Sequence, residues 1–336
     1  MEYILNETKV KTSNGFKMNN IKVSLDLPTE YNFHDYIVNG SSDIKINDIN
    51  KDITSDIGLT FSKYKNVDID INDNKDIILI YEFNNDNLID NINIKLNSNT
   101  NSNIIIKYTS SINTTNFHHL VLNITGEQDS VSNITVINML NNNSDSFIAI
   151  NGDIKKNANI KLNILDMNGK IRINNINSNS LEKGKFYVNN LYIGLNNDLI
   201  DYNYYLKNTG KESINRLEVQ GYLKDNAIKH FKGIIDFISG CSKSSGIENE
   251  NVVLANDTVI SRSLPVLLCG EEDVEGAHGV SSGKIDEEKL FYLMSRGLER
   301  LDAEKLIIKS NFNKIIKEIN NEEIENEVSN YIDQII

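Results

Sequence analysis

The fold class is decided by Ile104-Ile105-Ile106-Lys107-Tyr108 and the two runs that follow it, Leu120-Val121-Leu122-Asn123-Ile124 and Ile134-Thr135-Val136-Ile137. Each run is short, rich in β-branched residues and bounded by Asn, Gly, Ser or Lys, as is typical of β-strands. Similar runs recur at residues 147–150, 160–164, 171–173, 186–188, 202–206, 217–219 and 233–237. Because no segment of helical periodicity interrupts them, residues 101–285 are predicted to form one continuous β core.

Even spacing over so many strands is typical of a sandwich, a barrel or a β-solenoid. Asn makes up about one residue in six, and there are only two Pro and no Trp. Asn tolerates the left-handed conformation of tight turns, and Asn-rich corners therefore suit stacked coils. We favour a mainly β solenoid because hairpin Asn-Gly dipeptides are not found at each turn. A β-sandwich is the alternative.

The two ends of the chain differ from this core. Residues 1–100 are predicted to form an irregular β-rich region, in which short apolar runs alternate with Asn/Asp-rich turns. Residues 286–336 change to a helical period, with Asp286 suited to cap the first helix and Gly297 suited to end it. Three more helices are predicted from their apolar residues: Leu306 and Ile307 in the second, Ile315, Ile316 and Ile319 in the third, and Ile324, Val328, Tyr331, Ile332 and Ile335 in the fourth.

Bulk charge and short motifs exclude several classes of function. The formal net charge of −13 argues against a general nucleic-acid binder and against docking on an anionic membrane. No apolar run approaches the length of a bilayer span, and the N-terminus lacks the pattern of a secretory signal. Two cysteines, 28 residues apart, form no disulfide framework, which favours a cytoplasmic location. No phosphate-binding loop of the Gly-Lys-Ser/Thr type occurs, so we expect no ATPase activity.

The run Cys269 to His278 is the candidate metal site. It joins one of the two cysteines to one of the five histidines across nine residues and holds four carboxylates. Thiolate, imidazole and carboxylate are the usual ligands of transition metals. The alternative is that Cys269 is a small core residue and that residues 271–275 form a solvated acidic turn. Cys241 is predicted to be a core or turn cysteine, and Lys229 and Lys232 surface lysines.

Residues from about 222 to 318 resemble the C-terminal core of the SufB/SufD family, the scaffold subunits of the SUF iron–sulfur cluster assembly machinery. The residues that carry the resemblance are Phe231-Lys232-Gly233-Ile234-Ile235, Val252-Val253-Leu254, Leu264-Pro265, Asp273-Val274, His278-Gly279 and the helix signature Ile285 to Leu298, with its Ser-Arg-Gly ending. The chain looks like a minimal, ancestral-type SufB-like protein. The resemblance implies a right-handed parallel β-helix with a C-terminal α-helical domain.

The resemblance also implies partners and a site. Family members dimerise through the β-helix and dock a SufC-like ABC ATPase on the helical domain, here residues 286–336. The docking residues would be Leu290, Phe291, Leu293, Met294 and Arg296. The chain would be a non-catalytic scaffold working as a homodimer or with a SufB/SufD-type paralogue, and it would hold a transient [4Fe-4S] iron–sulfur cluster. The cluster or metal ligands would be Cys269 and His278, then Glu275 and, as a fourth, Glu272.

The sequence departs from the family pattern at two positions. The sulfur-accepting cysteine of SufB falls at Glu250, and the cysteine of the SufD-like Cys-Ser-His motif falls at Gly276. A SufD-like structural subunit that binds the ATPase but holds no cluster is therefore the alternative function. A carbohydrate-active solenoid is a third possibility, which the absence of Trp disfavours.

Overall fold

The computed structural model describes residues 1–11, 15, 17–31, 33–40 and 44–336. The chain is mainly β, a β-solenoid of about eight turns, as the sequence predicts, and three α-helices follow it at the C-terminus. Six short strands come first: β1 (Glu2–Leu5), β2 (Ile21–Ser24), β3 (Ile37–Asn39), β4 (Ile44–Ile49), β5 (Ile53–Thr54) and β6 (Thr60–Phe61).

Each turn of the solenoid contributes one strand to each of two facing sheets. Sheet 1 contains β7 (Tyr64–Ile71), β9 (Asn87–Leu96), β11 (Phe117–Gly126), β13 (Asp145–Ile154), β15 (Ile171–Ser180), β17 (Leu199–Asn208), β19 (Ile228–Phe237) and β21 (Ile260–Cys269). Sheet 2 contains β8 (Lys75–Phe83), β10 (Asn101–Ser110), β12 (Val131–Met139), β14 (Asn159–Asn168), β16 (Lys185–Gly194), β18 (Ile214–Leu223), β20 (Ser244–Leu254) and β22 (Val274–Gly283).

The strands of each turn stack on those of the next in parallel and nearly in register. Inward-facing side chains therefore form continuous columns between the sheets. One column is apolar over six turns and consists of the fully buried Ile77, Ile104, Ile134, Leu162, Val188 and Leu217. All ten strand segments predicted from the sequence lie in this stack, one in each of β10 to β19. The stack begins at Tyr64; the domain boundaries at residues 100 and 285 stay predictions.

Asn serves this stack in two ways. Asn99, Asp129 and Asn157 have positive φ at successive corners, and each donates its backbone N–H to a carbonyl of the next turn. Asn side chains also form ladders on the outer faces. In one ladder the Asn133 amide donates to the Asn103 oxygen at 2.7 Å, and Asn163 donates to Asn133 at 2.9 Å. These bonds satisfy backbone and amide groups along the length of the solenoid.

The helices are α1 (Glu287–Ser295), α2 (Arg300–Ile316) and α3 (Glu322–Ile335), with a 3-10 turn at Lys317–Ile319 between the last two. Asp286 caps α1 by accepting from two backbone N–H groups, and Gly297 follows with φ of 98°, as predicted. The prediction of four helices is wrong: the second and third form the single helix α2. The sequence between Leu306 and Ile315 contains no Gly or Pro that would end a helix.

The helices differ in how much of their surface packs on the solenoid. The second half of α2 and one face of α3 pack on the outer face of sheet 2, where Phe312 and Ile316 join a cluster with Leu165 and Leu191. Helix α1 buries only Leu290. Of the three helices, α1 therefore buries the fewest residues.

The N-terminal strands β1, β2, β5 and β6 cover part of the outer face of sheet 1. Under them lies His119, which is fully buried among Phe61, Phe117 and Phe147 and has no hydrogen-bond partner for either ring nitrogen among the described residues. Burial lowers the pKa of His119 to about 3. The imidazole therefore stays neutral in the folded protein.

The buried His119 should make the stability of the protein depend on pH. Its pKa is about 3 when folded and about 6.5 when unfolded, so the unfolded chain takes up the proton first as the pH falls. His119→Phe should therefore flatten the loss of stability between pH 6.5 and 4 by about 1.4 kcal/mol per pH unit. Urea unfolding at several pH values measures the difference; parallel curves for both proteins would contradict the prediction.

Candidate functional site

The two ends of the solenoid are closed differently. At the N-terminal end the antiparallel strands β3 and β4 cover the edges of sheets 2 and 1. At the C-terminal end β21 and β22 are the last strands of their sheets, and no other strand of the described chain pairs with their outer edges. Residues 275–283 of β22 are all exposed. Unpaired edges of this length are normally protected or used for association. We call this region the open end.

Cys269 and His278 both occupy inward-facing positions at the open end. A Cβ added to Gly276 would contact Leu267 and Phe237, which places Gly276 opposite Leu267 in the interior. Side chains alternate along a strand, so His278 and Cys269 are each one inward position away from this pair. Both residues are exposed because no further turn covers them.

One chain does not bring these two residues together. β21 runs to the corner and β22 returns from it, so Cys269 lies on the corner side of Leu267 and His278 lies on the far side of Gly276. Four residues of strand separate them, or about 13 Å along the strands. Among the described residues no group of three or more His, Cys, Asp or Glu side chains is placed to hold a metal ion.

Glu272 and Glu275 lie elsewhere. They line a groove of about 770 Å³ on the outside of the corner, together with Lys183, Lys185 and Lys243. Glu275 pairs in register with Ser245, on the outward face of sheet 2. Within one chain the four predicted ligands are thus divided between the interior and the outer corner.

A buried ionic cluster lies just inside the open end. Lys229 is fully buried, and its Nζ donates to Glu250 Oε1 at 2.6 Å and to Ser263 Oγ at 2.9 Å. The Tyr192 hydroxyl donates to the same Glu250 oxygen at 3.2 Å. Burial lowers the pKa of Lys229, and the Glu250 carboxylate opposes that effect.

The prediction of surface lysines is wrong for Lys229 and for Lys232. Lys232 is also fully buried, and its Nζ lies 2.7 Å from Asp201 on the outer side of sheet 1. Each lysine has a carboxylate partner more than 20 residues away in the sequence. Pairing of this kind is what allows a lysine to be buried, and no local pattern reveals it.

Glu248 is the exception among the buried carboxylates of this end. It is fully buried, and neither of its carboxyl oxygens has a hydrogen-bond partner in the described part of the chain. Burial raises the pKa of Glu248 to about 8, with a smaller contribution from the charge of Glu250. Its carboxyl group occupies the space above Gly233, where an added Cβ would lie 2.0 Å from Oε1. A larger residue at position 233 would displace this carboxyl group.

Glu248 also continues an inward column toward the open end. It follows Leu217 in register, and His278 follows Glu248. Sequence reasoning missed this residue, although the alternation of Gly246, Glu248 and Glu250 along β20 placed two carboxylates on one face.

The far end of the solenoid provides a contrast. There Asp90 is fully buried but accepts hydrogen bonds from the hydroxyls of Tyr36 and Tyr108, the latter at 2.6 Å, and lies 3.1 Å from His118 Nε2. The buried carboxylate of Asp90 is thus satisfied at the closed end, whereas that of Glu248 is left unsatisfied at the open end.

Helix α1 presents an apolar surface to solvent. Phe291 is 74% exposed, and Met294 on the same helix is also exposed. Beside them a groove of about 560 Å³ runs between α1 and α2, lined by Leu293 and Leu306. Arg296 lies over the Tyr292 ring at 5.4 Å. Of the docking residues predicted from the resemblance, Leu290 alone is fully buried.

Most of the solenoid and part of the helical region match a known protein family. Residues 80–311, more than half of the sequence, match the family model described as the SufBD core domain of SUF-system FeS cluster assembly. The chain belongs to the SufBD family. The matched SufBD core includes most of the solenoid, the whole open end, α1 and most of α2.

Several curated SufBD relatives are similar over shorter segments. SufD of Bacillus subtilis is 30% identical over 125 residues, which are 37% of this chain and 29% of that protein. SufD of Escherichia coli is 28% identical over 127 residues, 38% of this chain and 30% of that protein. A SufBD family protein of Pyrococcus horikoshii is 29% identical over 140 residues, 41% of this chain and 30% of that protein. The alignments thus span under a third of the length of these relatives.

The second cysteine of this SufBD chain lies apart from the open-end surface. Cys241 is fully buried against Ile235 and Phe237, as predicted for a core cysteine. In the described residues no helix is both long and apolar enough to cross a bilayer.

Proposed function

We propose that this SufBD family protein is a non-catalytic scaffold subunit that assembles a labile iron–sulfur cluster between two copies of its open end. The observation that carries the proposal is the position of Cys269 and His278 on inward-facing sites of an unprotected last turn. Thiolate and imidazole are both known ligands of iron–sulfur clusters. Because one chain does not bring the two residues together, a complete ligand set requires a second chain.

A two-fold dimer at the open end supplies that ligand set. The edges of β21 and β22 offer unpaired backbone groups and exposed side chains such as Val280, which is 41% exposed. A symmetric contact between identical surfaces doubles every residue in it. Two Cys269 thiolates and two His278 imidazoles would bind a transient [4Fe-4S] cluster less tightly than four thiolates would, as a scaffold that passes its cluster on requires. Glu272 and Glu275 would serve as carboxylate ligands from the corner.

The second partner in this proposal is a SufC-like ABC ATPase. The chain has no phosphate-binding loop, so ATP hydrolysis would reside in the partner. The apolar surface of α1, with Phe291 and Met294 exposed beside a groove, supports docking there. Exposed apolar surface of this kind marks interaction sites.

A SufD-like structural subunit, which binds the ATPase and holds no cluster, is the second candidate. It is favoured by the two relatives named SufD and by the divided positions of Cys269, His278 and Glu275 within one chain. In this case the partner at the open end would be a SufB-type paralogue.

Anaerobic reconstitution with iron and sulfide separates the two candidates. The scaffold should become brown, and Cys269→Ser and His278→Ala should each lose most of the thiolate-to-iron absorbance, because each removes two ligands from the shared site. Cys241→Ala is the matched control, since that thiol is buried in the core and should leave the absorbance unchanged. A cluster of undiminished intensity in Cys269→Ser would contradict the ligand assignment, and a colourless wild-type protein would favour the structural subunit.

A further inference from the structure

The inward column that ends at the open end contains a carboxyl group and an imidazole in succession, both of them side-chain types that bind metals. Six apolar residues, the last of them Leu217, are followed by Glu248 and then by His278. Neighbouring strands of a sheet lie about 4.8 Å apart, so side chains paired in register on one face can contact the same small ligand. Glu248 and His278 are thus candidate ligands that a single chain does bring together.

The carboxyl group of Glu248 has no structural partner. Glu250, two residues along the same strand, is held by Lys229, Ser263 and Tyr192. Glu248 is equally buried, yet both of its oxygens lack a partner among the described residues. An unsatisfied buried carboxyl group costs stability and calls for an explanation, such as a missing ion.

The fold around Glu248 accommodates this group. Gly233 on the opposite sheet leaves room for the carboxyl, which any larger residue would displace. The next turn pairs His278 in register with Glu248, so an exposed histidine follows this buried carboxyl on the inward column. A carboxylate with an imidazole suits a divalent first-row metal with water as its remaining ligands.

We propose that Glu248 and His278 of each chain form a binding site for ferrous iron at the mouth of the interior, separate from Cys269. The choice of iron rests on the proposed function; the pairing of the two side chains does not. Each chain would load its own iron at this site, and cluster formation would require the thiolates of Cys269 in addition.

The test is anaerobic binding of Fe(II) alone, without sulfide, to the full chain, followed by titration with Co(II) alone to record its visible d–d bands. Glu248→Gln and His278→Ala should each weaken Fe(II) binding by at least about tenfold and should each change the Co(II) bands. Glu248→Leu, which continues the apolar column of Leu217, should behave in the same way and remain folded. Cys241→Ala, which removes a thiol buried in the core, and Glu82→Gln, which changes an exposed carboxylate on β8, are the matched controls and should bind both ions as the wild type does.

Wild-type Fe(II) affinity in both Glu248 variants would overturn the proposal. So would a loss of affinity with unchanged Co(II) bands, because Glu248 would then act through another residue. Failure of the proposed function looks different: the cluster would form equally well in Cys269→Ser, whereas Fe(II) binding would still depend on Glu248.

Discussion

Replacement of Lys229 by methionine is expected to destabilise the protein by about 3–5 kcal/mol. The substitution keeps the apolar stem but removes the only cation within hydrogen-bond distance of Glu250 in the described structure. Glu250 would then be a buried carboxylate held only by Ser263 and Tyr192. A buried charge without its counter-charge is costly, because neither water nor an ion stabilises it.

The double variant Lys229→Met/Glu250→Leu should recover more than half of that loss, since it removes both charges. Lys155→Met is the matched control: Lys155 pairs with Asp153 at the surface, with side chains 34% and 43% exposed, and its loss should cost less than about 1 kcal/mol. Urea unfolding followed by circular dichroism measures all three. A Lys229→Met protein as stable as Lys155→Met would refute the assignment of a buried ion pair.

Replacement of Phe291 by glutamate is expected to weaken binding of a SufC-type ATPase by at least about 30-fold, the equivalent of the 2 kcal/mol that defines a binding hot spot. The substitution removes the most exposed apolar side chain of α1 and places a charge in the proposed interface. Since Phe291 is 74% exposed, the variant should unfold at the same urea concentration as the wild type.

Ile112→Glu provides the control for this experiment. Ile112 is 82% exposed at a corner before β11, in a different part of the molecule from α1. Calorimetric titration of each variant with the purified ATPase should show a loss for Phe291→Glu alone. Equal affinities of the two variants would exclude α1 as the docking helix.

Much of the fold could be predicted from the sequence because its signals are local. Alternating runs such as residues 120–124 and 160–164 each mark one strand, and Asp286 and Gly297 mark the ends of α1. The division of α2 into two helices was an error of a different kind. Leu306 and Ile307 line the groove beside α1, whereas Ile315 and Ile316 pack on sheet 2. Because the apolar face changes along this one helix, its periodicity in the sequence is interrupted as it would be between two helices.

The site could be predicted only in part because it depends on register. The nine-residue spacing of Cys269 and His278 suggests proximity, but the corner between β21 and β22 sends them along opposite strands. Glu248 and His278 are 30 residues apart and are neighbours only because β20 and β22 pair in register. Lys229 and Glu250 face each other across the interior, a relation that no sequence pattern specifies.

The central claim is that the cluster is shared between two chains, and native mass spectrometry under anaerobic conditions tests it most directly by counting iron and sulfide per chain. We predict one cluster per two chains in the wild type. Val280→Lys, which places a charge on the exposed edge strand, should give a monomer without a cluster. A complete cluster on the monomer would contradict the account.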